Sequence, residues 1–167
     1  MKRCFSVLFA VFLLSSSYGH ADQPSDRPVG PPGDGNGSGF DEYISQFDYA
    51  DRKLMKCDSD CIIEGICAGT MQLVDIRFPE EREAWQINFG DHIPLPELPN
   101  RLRELDPSKV IVTICPHSAR SNLARAYLVS AGFDPDTTKF ATEGLLGLEE
   151  ALRGDNARDF VNECLNR

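Results

Sequence analysis

This 167-residue chain is short of positive charge and of long apolar runs. It has 17 lysine and arginine residues against 26 aspartate and glutamate residues, which gives a formal net charge of −9 at pH 7. An acidic surface repels phosphate backbones and anionic lipids, so we expect neither nucleic acid nor a membrane surface as a partner. The longest apolar run, residues 4–14, is about eleven residues, whereas a membrane-spanning helix needs about 20.

The amino-terminal segment is typical of a secretory signal peptide. Lys2 and Arg3 precede the apolar run, and small residues follow it up to Ala21, so we predict a signal peptide over residues 1–21. Export predicts a periplasmic location, with secretion from the cell as the alternative. After removal of this segment we expect no membrane association.

The next segment, residues 22–39, consists almost entirely of Pro, Gly, Asp, Ser and Asn. Such a composition cannot bury enough apolar surface to offset the entropy of ordering, so we predict a disordered linker. Residues 40–167 then suit one domain with a single core.

Short apolar runs alternate with helical patterns along this domain. The alternation, together with a strand that is apolar on both faces at 110–114, favours an α/β fold with a parallel sheet covered by helices on both faces. Such sheets bind ligands at the carboxyl ends of their strands. The predicted strands are 54–57, 71–75, 110–114 and a short one around Phe140. The predicted helices are one that Ser59 or Asp60 caps and that ends at 68–69, then 79–87, 99–105, about twelve residues ending at Gly132, 145–152 and 155–165.

Cys115 is the most informative residue, because it ends the most apolar strand just before a predicted helix. The loop between them places free backbone N–H groups, from about His117 to Ser121, around the sulfur. These donors and the positive end of the helix favour thiolate over thiol. We therefore predict that Cys115 is a nucleophile, with the Arg120 guanidinium close to it.

Several spaced elements resemble the rhodanese family. Residues 73–77, Leu-Val-Asp-Ile-Arg, with Pro-Glu-Glu at 79–81, are similar to one family element, and Cys115-x4-Arg120-Ser121 is similar to the family's active-site loop; Gly-Phe at 132–133 and Glu-Gly-Leu at 143–145 also match. The resemblance implies a single-domain rhodanese: a three-layer fold with four to five parallel strands, and sulfur transfer through a cysteine persulfide. Together with the predicted signal peptide, it predicts a rhodanese of the exported bacterial type. We expect no cofactor and no metal.

On this interpretation Cys115 and Arg120 are the catalytic residues, whereas Asp75 and Arg77 brace the neighbouring loops. Four residues between Cys115 and Arg120 enclose a smaller pocket than the five of cysteine phosphatases and arsenate reductases, which favours sulfur over an oxyanion. The remaining loop residues are predicted to bind substrate: Pro116, His117, Ser118, Ala119 and Ser121.

The loop departs from the common rhodanese pattern at two positions. Pro116 stands where many members have Arg or Lys, and Ser118 stands where many have glycine. Thiosulfate is a dianion, so the loss of a cation should weaken its binding. His117 would replace part of that charge only in its protonated form.

Three classes of function follow. The first is an exported sulfurtransferase that takes sulfur from thiosulfate, polysulfide or a protein persulfide and passes it to cyanide or a thiol. Its partners would be a small sulfur-containing substrate or a thiol or persulfide protein. The second class is a non-catalytic rhodanese-like binding module, and the third is a cysteine phosphatase or oxyanion reductase.

Five cysteines follow the predicted signal peptide, and five is an odd number. Export implies an oxidising compartment, so we expect disulfide formation with at least one thiol left over. Our hypothesis leaves Cys115 free and pairs two of Cys57, Cys61 and Cys67, without choosing the pair. A zinc site in this cluster lacks a clear fourth ligand. A redox relay between the cluster and Cys115 is a further alternative.

Overall fold

The computed structural model describes residues 38–88 and 90–165. The predicted signal peptide and the predicted linker up to residue 37 lie outside these residues. The last two linker positions, 38 and 39, instead begin helix α1 (Ser38–Gln46), which carries Asp41 in its first turn, where the helix dipole favours an acidic residue. Among the described residues, no helix has the length and apolar character needed to cross a bilayer.

A five-stranded sheet forms the centre of the domain, and every strand pair in it is parallel. The strands are β1 (Lys56–Cys57), β2 (Met71–Asp75), β3 (Asp91–His92), β4 (Val110–Ile114) and β5 (Thr138–Ala141). Their order in the sheet is β1-β5-β4-β2-β3, so β4 lies in the middle with β2 and β5 as its neighbours. This arrangement confirms the predicted parallel α/β fold.

Helices cover both faces of the sheet, because alternate residues of the central strands point to opposite sides. The helices after α1 are α2 (Tyr49–Leu54), α3 (Ser59–Ala68), α4 (Pro79–Trp85), α5 (Ala119–Ser130), α6 (Gly144–Ala151) and α7 (Asp155–Phe160), followed by a π-helical turn at Val161–Leu165. Val112 and Ile114 pack in one buried cluster with residues of α3, α6 and α7, whereas Ile111 packs in a second cluster with Ala124 and Leu128 of α5.

Two predicted boundaries are wrong at the start of the domain and after β2. The strand predicted at 54–57 begins only at Lys56, because Asp48 and Asp51 form a reciprocal capping box that starts α2, and this helix runs to Leu54. The helix predicted at 79–87 ends at Trp85, because Gln86 adopts a left-handed conformation with φ of +54°. Helices α1 and α2 and strand β3 were not predicted.

The helix predicted at 99–105 is instead a pair of 3₁₀ helices, Leu98–Asn100 and Leu102–Glu104. The side chain of Gln72, on β2, donates to the backbone carbonyl of Glu104 and accepts from the backbone amide of Asp106. These hydrogen bonds hold the end of the segment against β2. The segment forms two short turns with i→i+3 hydrogen bonds in place of a continuous α-helix.

Candidate active site

Strand β4 delivers Cys115 to the carboxyl edge of the sheet, directly before the loop that leads into α5. Val110–Ile114 is hydrogen-bonded to β2 on one side and to β5 on the other, so the strand end is fixed in place. The backbone amide of Leu145, in α6, donates to the Cys115 carbonyl at 3.0 Å. The cysteine itself is buried, with 2% of its surface exposed.

Hydrogen-bond donors converge on the sulfur of Cys115. Its Sγ lies 3.1 Å from Oγ of Ser121, which is itself fully buried. Burial raises the pKa of the Cys115 thiol, but the Ser121 hydroxyl and the backbone amides of Ser121, His117 and Arg120 offset this, so its pKa is below the ordinary value. These donors therefore make the thiolate easier to form than in an ordinary cysteine.

The predicted substrate-binding residues lie in the loop after Cys115 and in the first turn of the helix Ala119–Ser130. Pro116 is buried, His117 and Ala119 are exposed, and Ser118 is partly exposed. Ser118 adopts a left-handed conformation with φ of +84°, which is unfavourable for a side chain with a Cβ. This conformation turns the chain so that α5 can start at Ala119, and the Ser118 carbonyl accepts from the amide of Asn122 at 2.9 Å.

Arg120 lies beside the sulfur, but its charge is paired. Its two terminal nitrogens donate to the two carboxylate oxygens of Glu81, each at 2.6 Å, and its guanidinium stacks 5.3 Å from the ring centroid of Phe78. The hydrogen bond from Arg120 lowers the pKa of the Glu81 carboxyl. Sequence reasoning missed Glu81 as a site residue, although it belongs to the Pro-Glu-Glu element.

Asp75 and Arg77 form an ion pair at the end of β2, and neither side chain is exposed. Nε and Nη2 of Arg77 both donate to the Asp75 carboxylate, at 2.7–3.1 Å, and Nη2 also donates to the carbonyl of Ile87. The pair thus joins the end of β2 to the segment after α4. That the pair braces the loops of the site stays a prediction.

Gly144 supports the loop from α6, and sequence reasoning assigned it no role. Its φ is +63°, and a Cβ placed there would overlap the carbonyl oxygens of Cys115 and Pro116. The first turn of α6 therefore approaches the loop closely enough that only glycine fits. The Glu-Gly-Leu element at 143–145 was the available signal.

The cysteine cluster is oxidised. Cys57 pairs with Cys61, two of the three cysteines that the hypothesis considered, and Cys67 pairs with Cys164, which was not predicted. All three cluster cysteines are thus in disulfides, which leaves none as a thiolate ligand for zinc. Within the described part of the chain, Cys115 is the free cysteine.

Comparison with solved structures agrees with this fold. A protein from Lactobacillus plantarum is similar over 66% of this chain and 92% of its own, with a TM-score of 0.51 at 21% identity. The reduced CoADR-RHD of Bacillus anthracis is similar over 60% of this chain and 18% of its own, with a TM-score of 0.50 at 26% identity.

Curated relatives are similar over a shorter part of the chain. The tRNA sulfurtransferase of Colwellia psychrerythraea is 38% identical over 65 residues, which is 36% of this chain and 13% of that protein. The thiosulfate sulfurtransferase GlpE of Pseudomonas syringae is 38% identical over 61 residues, 36% of this chain and 58% of the relative. The chain thus spans less than two thirds of either relative. The rhodanese-like domain model matches residues 59–150, more than half of the chain, and the protein therefore belongs to the rhodanese-like domain family.

Proposed function

We propose that this protein is an exported sulfurtransferase that carries sulfane sulfur as a persulfide on Cys115. The observation that carries this proposal is the convergence of the Ser121 hydroxyl and three backbone amides on a free, buried cysteine sulfur. The family and the sulfurtransferase names of its relatives support sulfur transfer in general. The same donors that stabilise a thiolate would stabilise the negative charge of a persulfide.

The proposed reaction has two displacement steps. The Cys115 thiolate attacks the sulfane sulfur of the donor, a new S–S bond forms, and the bond to the leaving group breaks with its electron pair; thiosulfate would release sulfite. A nucleophilic acceptor, cyanide or a thiol, then attacks the outer sulfur and restores the thiolate. His117, exposed at the loop, and the loop backbone would contact donor and acceptor.

Export to the periplasm, or out of the cell, is part of the same proposal. The charged, apolar and small-residue sequence of residues 1–21 supports it. The two disulfides support it as well, because such bonds persist in oxidising compartments and are rare in the cytosol. A thiol or persulfide protein of that compartment would be a suitable partner.

Mass spectrometry of the intact protein tests the proposal. After incubation with a sulfane-sulfur donor, we expect one added sulfur atom that dithiothreitol removes. Cys115→Ser should never acquire it, although the disulfides remain. If thiosulfate, polysulfide and an organic persulfide all fail to load the wild-type protein, the sulfurtransferase proposal is wrong.

A further inference from the structure

The carboxylate of Glu81 places a negative charge next to the only cationic side chain of the loop. Both oxygens of Glu81 accept from Arg120, and about 28% of each side chain is exposed, so the pair lies at the accessible side of the site. The Arg120 guanidinium is also close enough to Cys115 for the sulfur's charge to raise the pKa of Arg120, after the larger effect of Glu81. An incoming sulfur donor therefore meets an ion pair that carries no net charge.

No other described cation near the sulfur is free to take its place. Pro116 carries no charge, and the guanidinium of Arg77 is paired with Asp75 in the interior. Arg125, one turn further along α5, is buried and directs its donors to the carbonyls of Thr138 and Pro135 and to a tyrosine hydroxyl. With a formal charge of −9 over the whole chain, the surroundings add no attraction for anions.

We infer that this site selects sulfane-sulfur donors with at most one negative charge, such as organic persulfides and thiosulfonates, over dianionic thiosulfate, and that Glu81 is the residue that sets this preference. The inference rests on the proposed function and names its substrate class. With an organic persulfide, the Cys115 thiolate takes the outer sulfur and the donor leaves as a thiolate. With a thiosulfonate, the leaving group is a sulfinate.

Thiosulfate and methanethiosulfonate form a matched pair of probes, because they differ by one negative charge and both present a terminal sulfane sulfur. We would measure kcat/KM for each donor, with cyanide as the acceptor, in the wild-type protein, Glu81→Gln and Glu80→Gln. Glu80→Gln is the control, because it removes the same charge one residue away on an exposed side chain. The ratio of the two kcat/KM values cancels general effects of each substitution.

We expect Glu81→Gln to raise the ratio of kcat/KM for thiosulfate to kcat/KM for methanethiosulfonate about tenfold, because the dianion loses one repulsive charge interaction that solvent only partly screens. Glu80→Gln should change this ratio less than about twofold. On the wild-type protein, the ratio should also rise with ionic strength, because salt screens the repulsion of the dianion. The salt series tests the inference even if Glu81→Gln does not fold.

Two results would overturn the inference: a ratio that Glu81→Gln leaves unchanged, or one that falls with added salt. Failure of the sulfurtransferase proposal itself would give a different result: neither donor would add sulfur to Cys115 in any variant, and no thiocyanate would form.

Discussion

Replacing Ser121 by alanine should raise the pKa of Cys115 and lower the fraction of thiolate at a fixed pH. The substitution removes the one side-chain hydroxyl among the donors around the sulfur, at 3.1 Å from Sγ. Ser121 is fully buried, so bulk water cannot replace the lost donor. The backbone amides of His117, Arg120 and residue 121 would remain in place, because they belong to the loop and the first turn of α5.

The magnitude follows from the strength of a hydrogen bond to a charged group. Such bonds contribute about 1.5–3 kcal/mol, and one pKa unit corresponds to about 1.36 kcal/mol. At a pH below the pKa of Cys115, the thiolate fraction should fall by about ten- to a hundredfold in the variant. The alkylation rate should fall somewhat less, since a more basic thiolate is intrinsically more nucleophilic.

The assay is the pH dependence of iodoacetamide alkylation, with Cys115→Ser as the blank. Ser130→Ala is the matched control, because Ser130 lies in the same helix, is exposed, and donates only to the carbonyl of Tyr127. We expect its alkylation midpoint to equal that of the wild type. A midpoint for Ser121→Ala within a few tenths of the wild-type value, or below it, would refute the assignment of Ser121 as a thiolate donor.

Three further predictions concern stability and are measured by urea unfolding. Asp75→Ala should destabilise the protein by about 3–5 kcal/mol, because it leaves the guanidinium of Arg77 buried without its counter-ion; a loss below 1 kcal/mol would contradict this. Ser118→Gly should stabilise the protein by about 1 kcal/mol, because glycine adopts φ of +84° without the Cβ penalty and this gain exceeds the extra entropy of glycine in the unfolded chain. Destabilisation would show that the Ser118 side chain makes a compensating contact. Cys164→Ser should destabilise by about 2–5 kcal/mol under oxidising conditions, because its bond to Cys67 closes a separation of 97 residues, and the loss should vanish when both proteins are reduced.

The centre of the fold could be predicted because its signals are local. The apolar run before Cys115 and the helical pattern after it specify β4, the loop and α5 without information from the rest of the chain. The position of the nucleophile at the carboxyl edge follows from the parallel sheet. Three elements were missed: α1 begins in a segment whose composition is typical of a linker, α2 depends on the capping box of Asp48 and Asp51, and β3 has two residues.

The partners of the site residues could not be predicted, because they depend on how distant segments pack. Glu81 and Arg120 are 39 positions apart, and their contact requires α4 and the start of α5 to meet at one edge. Cys67 and Cys164 are 97 positions apart, so the spacing of the amino-terminal cysteines carries no information about this bond. Sequence reasoning assigned a guanidinium to the neighbourhood of the sulfur, but only the structure shows that its charge is already paired.

The pKa of the buried Cys115 thiol is lowered only because hydrogen-bond donors are held around its sulfur. Burial alone would favour the neutral thiol, so the loop must hold its amides and the Ser121 hydroxyl toward the sulfur before any ligand arrives. Three contacts outside the donor set impose this shape: Thr113 Oγ1 donates to the carbonyl of Ser121, the Leu145 amide donates to the carbonyl of Cys115, and Gly144 leaves room for the loop backbone. Because β4 and α6 supply these contacts, the fold itself bears the free-energy cost of gathering the donors, and a substrate does not have to organise them.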